Sequence, residues 1–340
     1  MRASVILAAA AAALALTGAG ASAAPGPAAG SGPPLPVHCP RACMTHLVDE
    51  YLGALVRHDP SGLPLSKGVR FTENTEEIKL GEGLWLGASE APAGFRIYAV
   101  DPASSQVAFM GLMKERGQPI QLVLRLKVIN GRITEIEHII NRNVRGPALA
   151  NLVTPRAAFL EDVPAAERTS REDMINAADD YFEAIEHNDG SRAPFADDCD
   201  RHENGVRTTN NHPPVPWPVP LGSPEADRGM ALIGTLGCAA QLDTGVMAFI
   251  TRLWPRRIEV VDEQKGLVLA FVVFNHRGDK PRDLPIKGVP GVTSLPLGGA
   301  FSTMQMGELF KIRSGQIHQV EAVGFALPYG ARSGWNDYGH

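Results

Sequence analysis

Apolar residues recur at helical spacing in two places along the chain and at alternate positions in many others. Leu47, Tyr51 and Leu55 stand four apart, and Ile175, Ala178, Tyr181, Phe182 and Ile185 mark a second stripe of the same kind. Each stripe predicts an amphipathic helix, ended by Asp59-Pro60 in the first case and Asp189-Gly190 in the second. Strand patterns follow both helices. Residues 95–101, 106–114, 118–129 and 132–140 read as an antiparallel meander, turned at Asn130-Gly131. Residues 257–262, 267–275, 302–312 and 316–325 read the same way, turned at Ser314-Gly315. A further helix is expected over 237–249. Helices followed by antiparallel strands give an α+β fold class.

The two halves also match residue by residue. At a shift of 130, Asp49-Glu50-Tyr51 meets Asp179-Asp180-Tyr181, and Glu73-Asn74 meets Glu203-Asn204. At a shift of 161, Arg96-Ile97 and Val100-Asp101 meet Arg257-Ile258 and Val261-Asp262. At a shift of 184, residues 126–133 meet 310–317 and Glu137 meets Glu321. The order is kept and the shift only grows, as an internal duplication requires when the second copy has gained loops. The expected organisation is a signal peptide over 1–23, a Pro/Gly/Ala-rich leader over 24–37 and a first domain over 38–145. A connection over 146–170, a second domain over 171–330 with two loop insertions, and a tail over 331–340 complete it.

The first 23 residues carry Arg2, a 12-residue apolar run and Ala21-Ser22-Ala23, the pattern of a secretory signal. The run is shorter than the roughly 20 residues that span a bilayer. Ala24, not Cys, follows, so no membrane anchor is expected, and a secreted or periplasmic location is. Cys39, Cys43, Cys199 and Cys238 are an even set in an oxidising compartment, which favours two disulfides. Of three connectivities, the local one (Cys39–Cys43, Cys199–Cys238) fits the domain division. A net charge of −5 without a basic block argues against a nucleic-acid partner.

Helix first and long antiparallel sheet after resembles the SnoaL-like, or nuclear-transport-factor-2-like, cone fold. More narrowly, Tyr-Leu-x-Ala-Leu (51–55), Phe-Thr-Glu-Asn (71–74) and Gly-x-Gly-Leu-Trp (81–85) resemble a family of exported double-cone proteins of unknown function in bacteria and fungi. The resemblance covers residues 43–330. It implies two tandem cones, each with helices packed in a strongly bent antiparallel sheet and a pocket at the open end. It also implies either a monomer, with the copies pairing inside one chain, or a homodimer.

Candidate chemistry centres on the repeated Glu-Asn. Glu73 with Asn74, and Glu203 with Asn204, could each act as general base and orienting amide. The same residues can instead satisfy backbone N–H groups at a turn. Arg201, His202, Arg207 and His212 surround Glu203, with Asp197, Asp198 and Asp200 before it, and His202 is the candidate proton donor. No HExxH or HxH spacing supports a metal, and no P-loop, GxSxG elbow or dinucleotide fingerprint calls for a cofactor. Tyr51, Trp85 and Tyr181 read as core or pocket wall, and His138 as a satisfied core residue or an inward-facing pocket group. Trp217, in the Pro-rich stretch 211–224, is a candidate flap over an apolar ligand, and residues 277–299 are a second candidate lid.

These residues fit a cofactor-independent lyase, isomerase or hydrolase acting on a small apolar or aromatic molecule. A carrier of such a molecule and a structural or interaction module are the competing readings.

Overall fold

The computed structural model describes residues 30–36 and 39–335; the expected signal segment lies outside them. Helix α1 (Arg41–Arg57) leads into strands β1 (Leu65–Glu73), β2 (Glu76–Glu77), β3 (Ala88–Glu90) and β4 (Arg96–Asp101). The meander continues through β5 (Gln106–Glu115), β6 (Gln118–Ile129) and β7 (Arg132–Asn141). Short helices α2 (Pro147–Asn151) and α3 (Ala157–Leu160) lie in the connection. The second half opens with α4 (Arg171–His187), β8 (Phe195–Glu203) and β9 (Val206–Arg207), then adds α5 (Pro224–Ile233) and α6 (Cys238–Asp243). It closes with β10 (Arg252–Asp262), β11 (Leu267–Arg277), the short pair β12 (Leu284–Pro285) and β13 (Ser294–Leu295), β14 (Phe301–Arg313) and β15 (Gln316–Pro328).

Both long helices end in one way. His58 and Asn188 take left-handed backbone, φ 56° and 51°, and return their N–H groups to the last-turn carbonyls of α1 and α4. Ser170 caps the start of α4 by accepting the Asp173 N–H. The apolar stripes face inward: Leu47, Tyr51 and Leu55 are buried on α1, and Ala178, Tyr181, Phe182 and Ile185 on α4.

Each helix lies against its own strongly curled sheet. The first runs β2-β1-β7-β6-β5-β3, with β4 also paired to β5, and the second runs β10-β11-β14-β15-β8-β9. Bulges interrupt β1–β7, β10–β11 and β15–β8, where added twist bends a sheet. Strands β1 and β8 were not among the sequence-predicted strands. They pair parallel to β7 and β15, the last strands of their own halves. Their burial does not alternate cleanly, so neither carries a period-2 signature.

The helix expected over 237–249 covers only Cys238–Asp243, because Gly245 takes φ 82° and turns the chain. The predicted local disulfides are both formed, Cys39–Cys43 and Cys199–Cys238. Ile286, Val289 and Leu295 of the second insertion pack with Ala226 and Ile233 of α5 and with Val246, and Leu221 of the first insertion packs against this cluster. No helix among the described residues is long and apolar enough to cross a membrane.

The halves meet through the outer faces of their sheets, where Phe95, Ile97, Met110, Val123 and Ile139 pack with Val260, Leu269, Phe271, Leu309 and Val323. Ion pairs cross this boundary reciprocally. Arg41 pairs with Asp262, which also accepts the Val100 N–H at 2.9 Å. Arg171 pairs with Asp101 at 2.7 Å, which also accepts the Val261 N–H at 3.1 Å. Arg171 is Arg41 shifted by 130, and Asp262 is Asp101 shifted by 161, so the contact has the self-complementary form of a twofold interface.

Candidate functional site

Strand register places Glu73, His138, Leu124 and Phe109 side by side across β1, β7, β6 and β5. The corresponding row across β8, β15, β14 and β11 is Glu203, Ala322, Glu308 and Ala270. Register neighbours on adjacent strands share a face. In the second half, therefore, alanine replaces a histidine and a phenylalanine, and a carboxyl replaces a leucine. Large side chains leave and a polar group enters.

The first half is filled. Trp85 and Leu84, on a short 3-10 turn, are buried against Tyr51, whose ring meets Trp85 edge-on at 5.4 Å. Tyr51 Oη hydrogen-bonds His138 Nε2 at 2.9 Å. Glu73 accepts the Leu84 N–H at 2.7 Å and pairs with Arg142 at 2.8 Å. Burial would raise its carboxyl, but the His138 ring, Arg142 and the Leu84 N–H outweigh it and hold Glu73 at about 2. Such a carboxylate is a fixed anchor for the 3-10 turn and a poor general base at neutral pH. Of the two readings of Glu73, base or anchor of a turn, this geometry fits the anchor, and Tyr51, Trp85 and His138 are buried core residues.

The second half has a cavity of about 60 Å³. Tyr181, Arg201, Glu203 and Glu308 form its polar end, and Met247, Phe249, Ile250, Phe274, Met304 and Met306 its apolar end, with His276 beside them. Arg201 is 6% exposed and Glu308 1%. Arg201 Nε donates to Tyr181 Oη at 3.0 Å and Nη1 to Gln241 Oε1 at 2.8 Å. Gln241 in turn donates to the carbonyls of Thr208 and Ile233, so α6 holds the guanidinium in place. Glu308 Oε2 is buried without a hydrogen-bond partner. Burial raises Glu308, Arg201 opposes the rise and Glu203 adds to it, leaving the carboxyl at about 8. Burial also raises Glu203, against the pull of Arg201, and lowers His276, whose Nδ1 bonds Ser302 Oγ at 3.0 Å. Two raised carboxyls beside one fixed guanidinium can hold and pass a proton at neutral pH.

Of the sequence candidates, Glu203 and Tyr181 come together at this cavity. His202 borders it, but its ring nitrogens face Asp200 at 3.5 Å and Glu321 at 4.0 Å on the other face of β8. Strand alternation separates it from Glu203. Asn74 and Asn204 are turn residues with φ 49° and 50°; their Oδ1 atoms accept the N–H of Ile140 at 2.7 Å and of Gly324 at 2.9 Å. They hold β1 to β7 and β8 to β15, and neither orients a carboxylate. Trp217, partly exposed in the irregular stretch before α5, is not among the residues lining the cavity. Sequence reasoning missed Glu308 and His276 as site residues and noted Arg201 only as a neighbour of Glu203. The available signal was Glu308 standing at the place of Leu124 within an otherwise apolar repeated strand.

The profile of a domain of unknown function, DUF8021, matches residues 167–324, slightly under half of the chain, a span that contains the whole cavity. No curated protein matches the chain. Among solved structures, a nuclear-transport-factor-2-like protein of unknown function from Cytophaga hutchinsonii aligns at 14% identity and TM-score 0.24, over 29% of this chain and 89% of that one. A candidate polyketide cyclase from Silicibacter aligns at 13% and 0.27, over 45% and 90%. AclR of Streptomyces galilaeus, a candidate hydroxylase, aligns at 12% and 0.25, over 46% and 91%.

Proposed function

We propose that this chain is an exported protein of two tandem cone domains whose second domain binds a small, mostly apolar molecule and moves a proton on it without a cofactor. One observation carries the reading: the row Glu203–Ala322–Glu308–Ala270, which opens a cavity and puts two carboxyls on one sheet face where the first half has His138, Leu124 and Phe109. Glu203, at the strand end, is the base. Glu308, protonated at neutral pH, is the acid, and Arg201 stabilises charge developing between them. The first domain keeps the fold and a filled interior, and serves as the partner on which the second packs.

The chemistry belongs to the lyase, isomerase or hydrolase classes. The competing reading is a carrier that uses the same cavity without turnover. The two disulfides fit a secreted or periplasmic location, and the reciprocal interface within the chain fits a monomer.

The test is a panel of small aromatic and unsaturated carbonyl compounds, followed by methyl-13C methionine spectra and by product analysis. Ligands should shift the signals of Met247, Met304 and Met306, which line the cavity, and leave those of Met44 and Met174 in place. Glu203→Gln should lower turnover at least about 100-fold with the folded spectrum intact. Shifts without turnover would favour the carrier, and turnover surviving in both Glu203→Gln and Glu308→Gln would end the acid–base assignment.

A further inference from the structure

Buried cations in this protein have partners. Arg125 is paired with Glu137 at 2.9 Å and Glu135 at 2.7 Å, Arg257 with Glu137 and Glu259, and Lys311 is held by the carbonyls of Glu161 and Lys265. Arg201 differs. Its side-chain bonds go to neutral groups, the Tyr181 hydroxyl and the Gln241 amide, and it forms no ion pair among the described residues. A guanidinium taken out of water without a direct ion pair is costly; this one is fixed at Nε and Nη1, lines the cavity, and has no hydrogen bond to its Nη2 among the described residues. Directly beside it, Glu308 offers a buried carboxyl oxygen with no partner. One group forms no direct ion pair and the other has a carboxyl oxygen without a hydrogen-bond partner, and both line the same small space.

We infer that the ligand of the second-half cavity is a monocarboxylate with a short apolar body, its carboxylate paired with the Nη2 edge of Arg201 and accepting a hydrogen bond from the Glu308 carboxylic acid. This rests on the cavity being the binding site, as proposed above, and names what it takes. The ligand supplies the charge that Arg201 lacks. Its carboxylate and the acid of Glu308 form an O–H···O⁻ bond, among the stronger kinds available to a protein. The apolar body then lies among Met304, Met306, Phe274 and Phe249. A cavity of about 60 Å³ holds roughly two waters at about 30 Å³ each, enough for a carboxylate head, so the body extends towards the apolar end and the methionines must give way to it, as flexible thioether chains do.

The charges facing Glu308 fix the pH dependence. Arg201 and Glu203 come from β8, the Tyr181 hydroxyl from α4, and His276 from β11. With Glu308 titrating at about 8, the hydrogen-bond donor is present below that pH. Above it, the ionised carboxyl repels the ligand, so affinity should fall about tenfold per pH unit.

The experiment titrates the full chain with butyrate, with its neutral isostere butyramide and with 2-pentanone, read by methyl-13C methionine spectra at pH 6 to 9.5. Butyrate should shift Met304 and Met306 and bind at least tenfold more tightly than butyramide. Arg201→Gln should weaken butyrate at least tenfold and butyramide by clearly less, since only butyrate loses an ion pair. Should that variant unfold, Glu308→Gln gives an independent test: the glutamine still donates, so butyrate should bind without the loss above pH 8. Equal binding of butyrate and butyramide, or a butyrate affinity flat across pH 8 in the unaltered chain, would overturn the carboxylate assignment while leaving the cavity as a binding site. No shift at Met247, Met304 or Met306 with any of the three would overturn both.

Discussion

Glu73 and Glu203 occupy one place in the two halves and meet opposite surroundings. The His138 ring, Arg142 and the Leu84 N–H hold Glu73 down, whereas burial lifts Glu203 against the pull of Arg201. The sign of each stability contribution follows by linkage. Glu73, at about 2 in the folded chain against an ordinary value of 4.5, contributes stability above pH 4.5 that is lost as the pH falls towards 2. Chemical denaturation between pH 5 and 2.5 should therefore show a steeper loss in the unaltered chain than in Glu73→Gln. Glu308, raised from 4.5 to about 8, runs the other way: its contribution is complete below pH 4.5 and is lost as the pH rises through 8. Stability should decline over that window by at most about 1.4 kcal/mol per pH unit, and Glu308→Gln should flatten the decline. The Glu-Asn repeat was legible in the sequence. Which glutamate is locked and which is free was not, because Arg142 lies 69 residues from Glu73 and Glu308 lies 105 residues from Glu203.

At the scale of elements, the site depends on α6 being held against β8. The disulfide Cys199–Cys238 joins them two residues before Arg201 and three before Gln241, across a separation of 39 residues. A loop of that length gives about 4 kcal/mol in the chain-entropy account. The double variant Cys199→Ser/Cys238→Ser should lose stability of that order in urea unfolding. It should also bind cavity ligands more weakly, since Gln241 would no longer fix Arg201. The alanines of the row make the complementary prediction. Ala322→His restores the residue of the first half and should fill the cavity, abolishing ligand shifts at Met304 and Met306 at a cost of about 1–3 kcal/mol from overpacking. The two long helices and the long antiparallel strands could be read from apolar spacing. The parallel strands β1 and β8 could not: with charged residues in mid-strand, such as Lys67 in β1 and Asp197-Asp198 in β8, what makes them strands is pairing with β7 and β15 at the far end of each half.

Across the whole molecule, the halves are fastened by equivalent residues used twice. Asp101 and Asp262 each take an arginine and a backbone N–H from the opposite half. Asp101→Asn and Asp262→Asn should each cost about 1–3 kcal/mol in equilibrium unfolding, discounted because both arginines keep some solvent contact, and the two losses should be similar. Trp335 breaks the symmetry. Its indole lies under Arg70, Arg125 and Arg257 at 4.2, 4.7 and 5.5 Å and donates to Thr72 Oγ1 at 2.8 Å, tying the end of the chain to the first half.

Local patterning by itself determined the two long helices, the antiparallel meanders and the repetition of both, and favoured the local cysteine pairing, because each depends on residues near in sequence or on self-similarity visible in a linear string. Tertiary structure decided where Glu203, Glu308 and Arg201 line one cavity and which other groups face it. That outcome depends on Ala270, Ala322, Glu308 and Glu203 meeting across four strands, and on an arginine without a direct ion pair in a space that sheet, helix and loop residues line together.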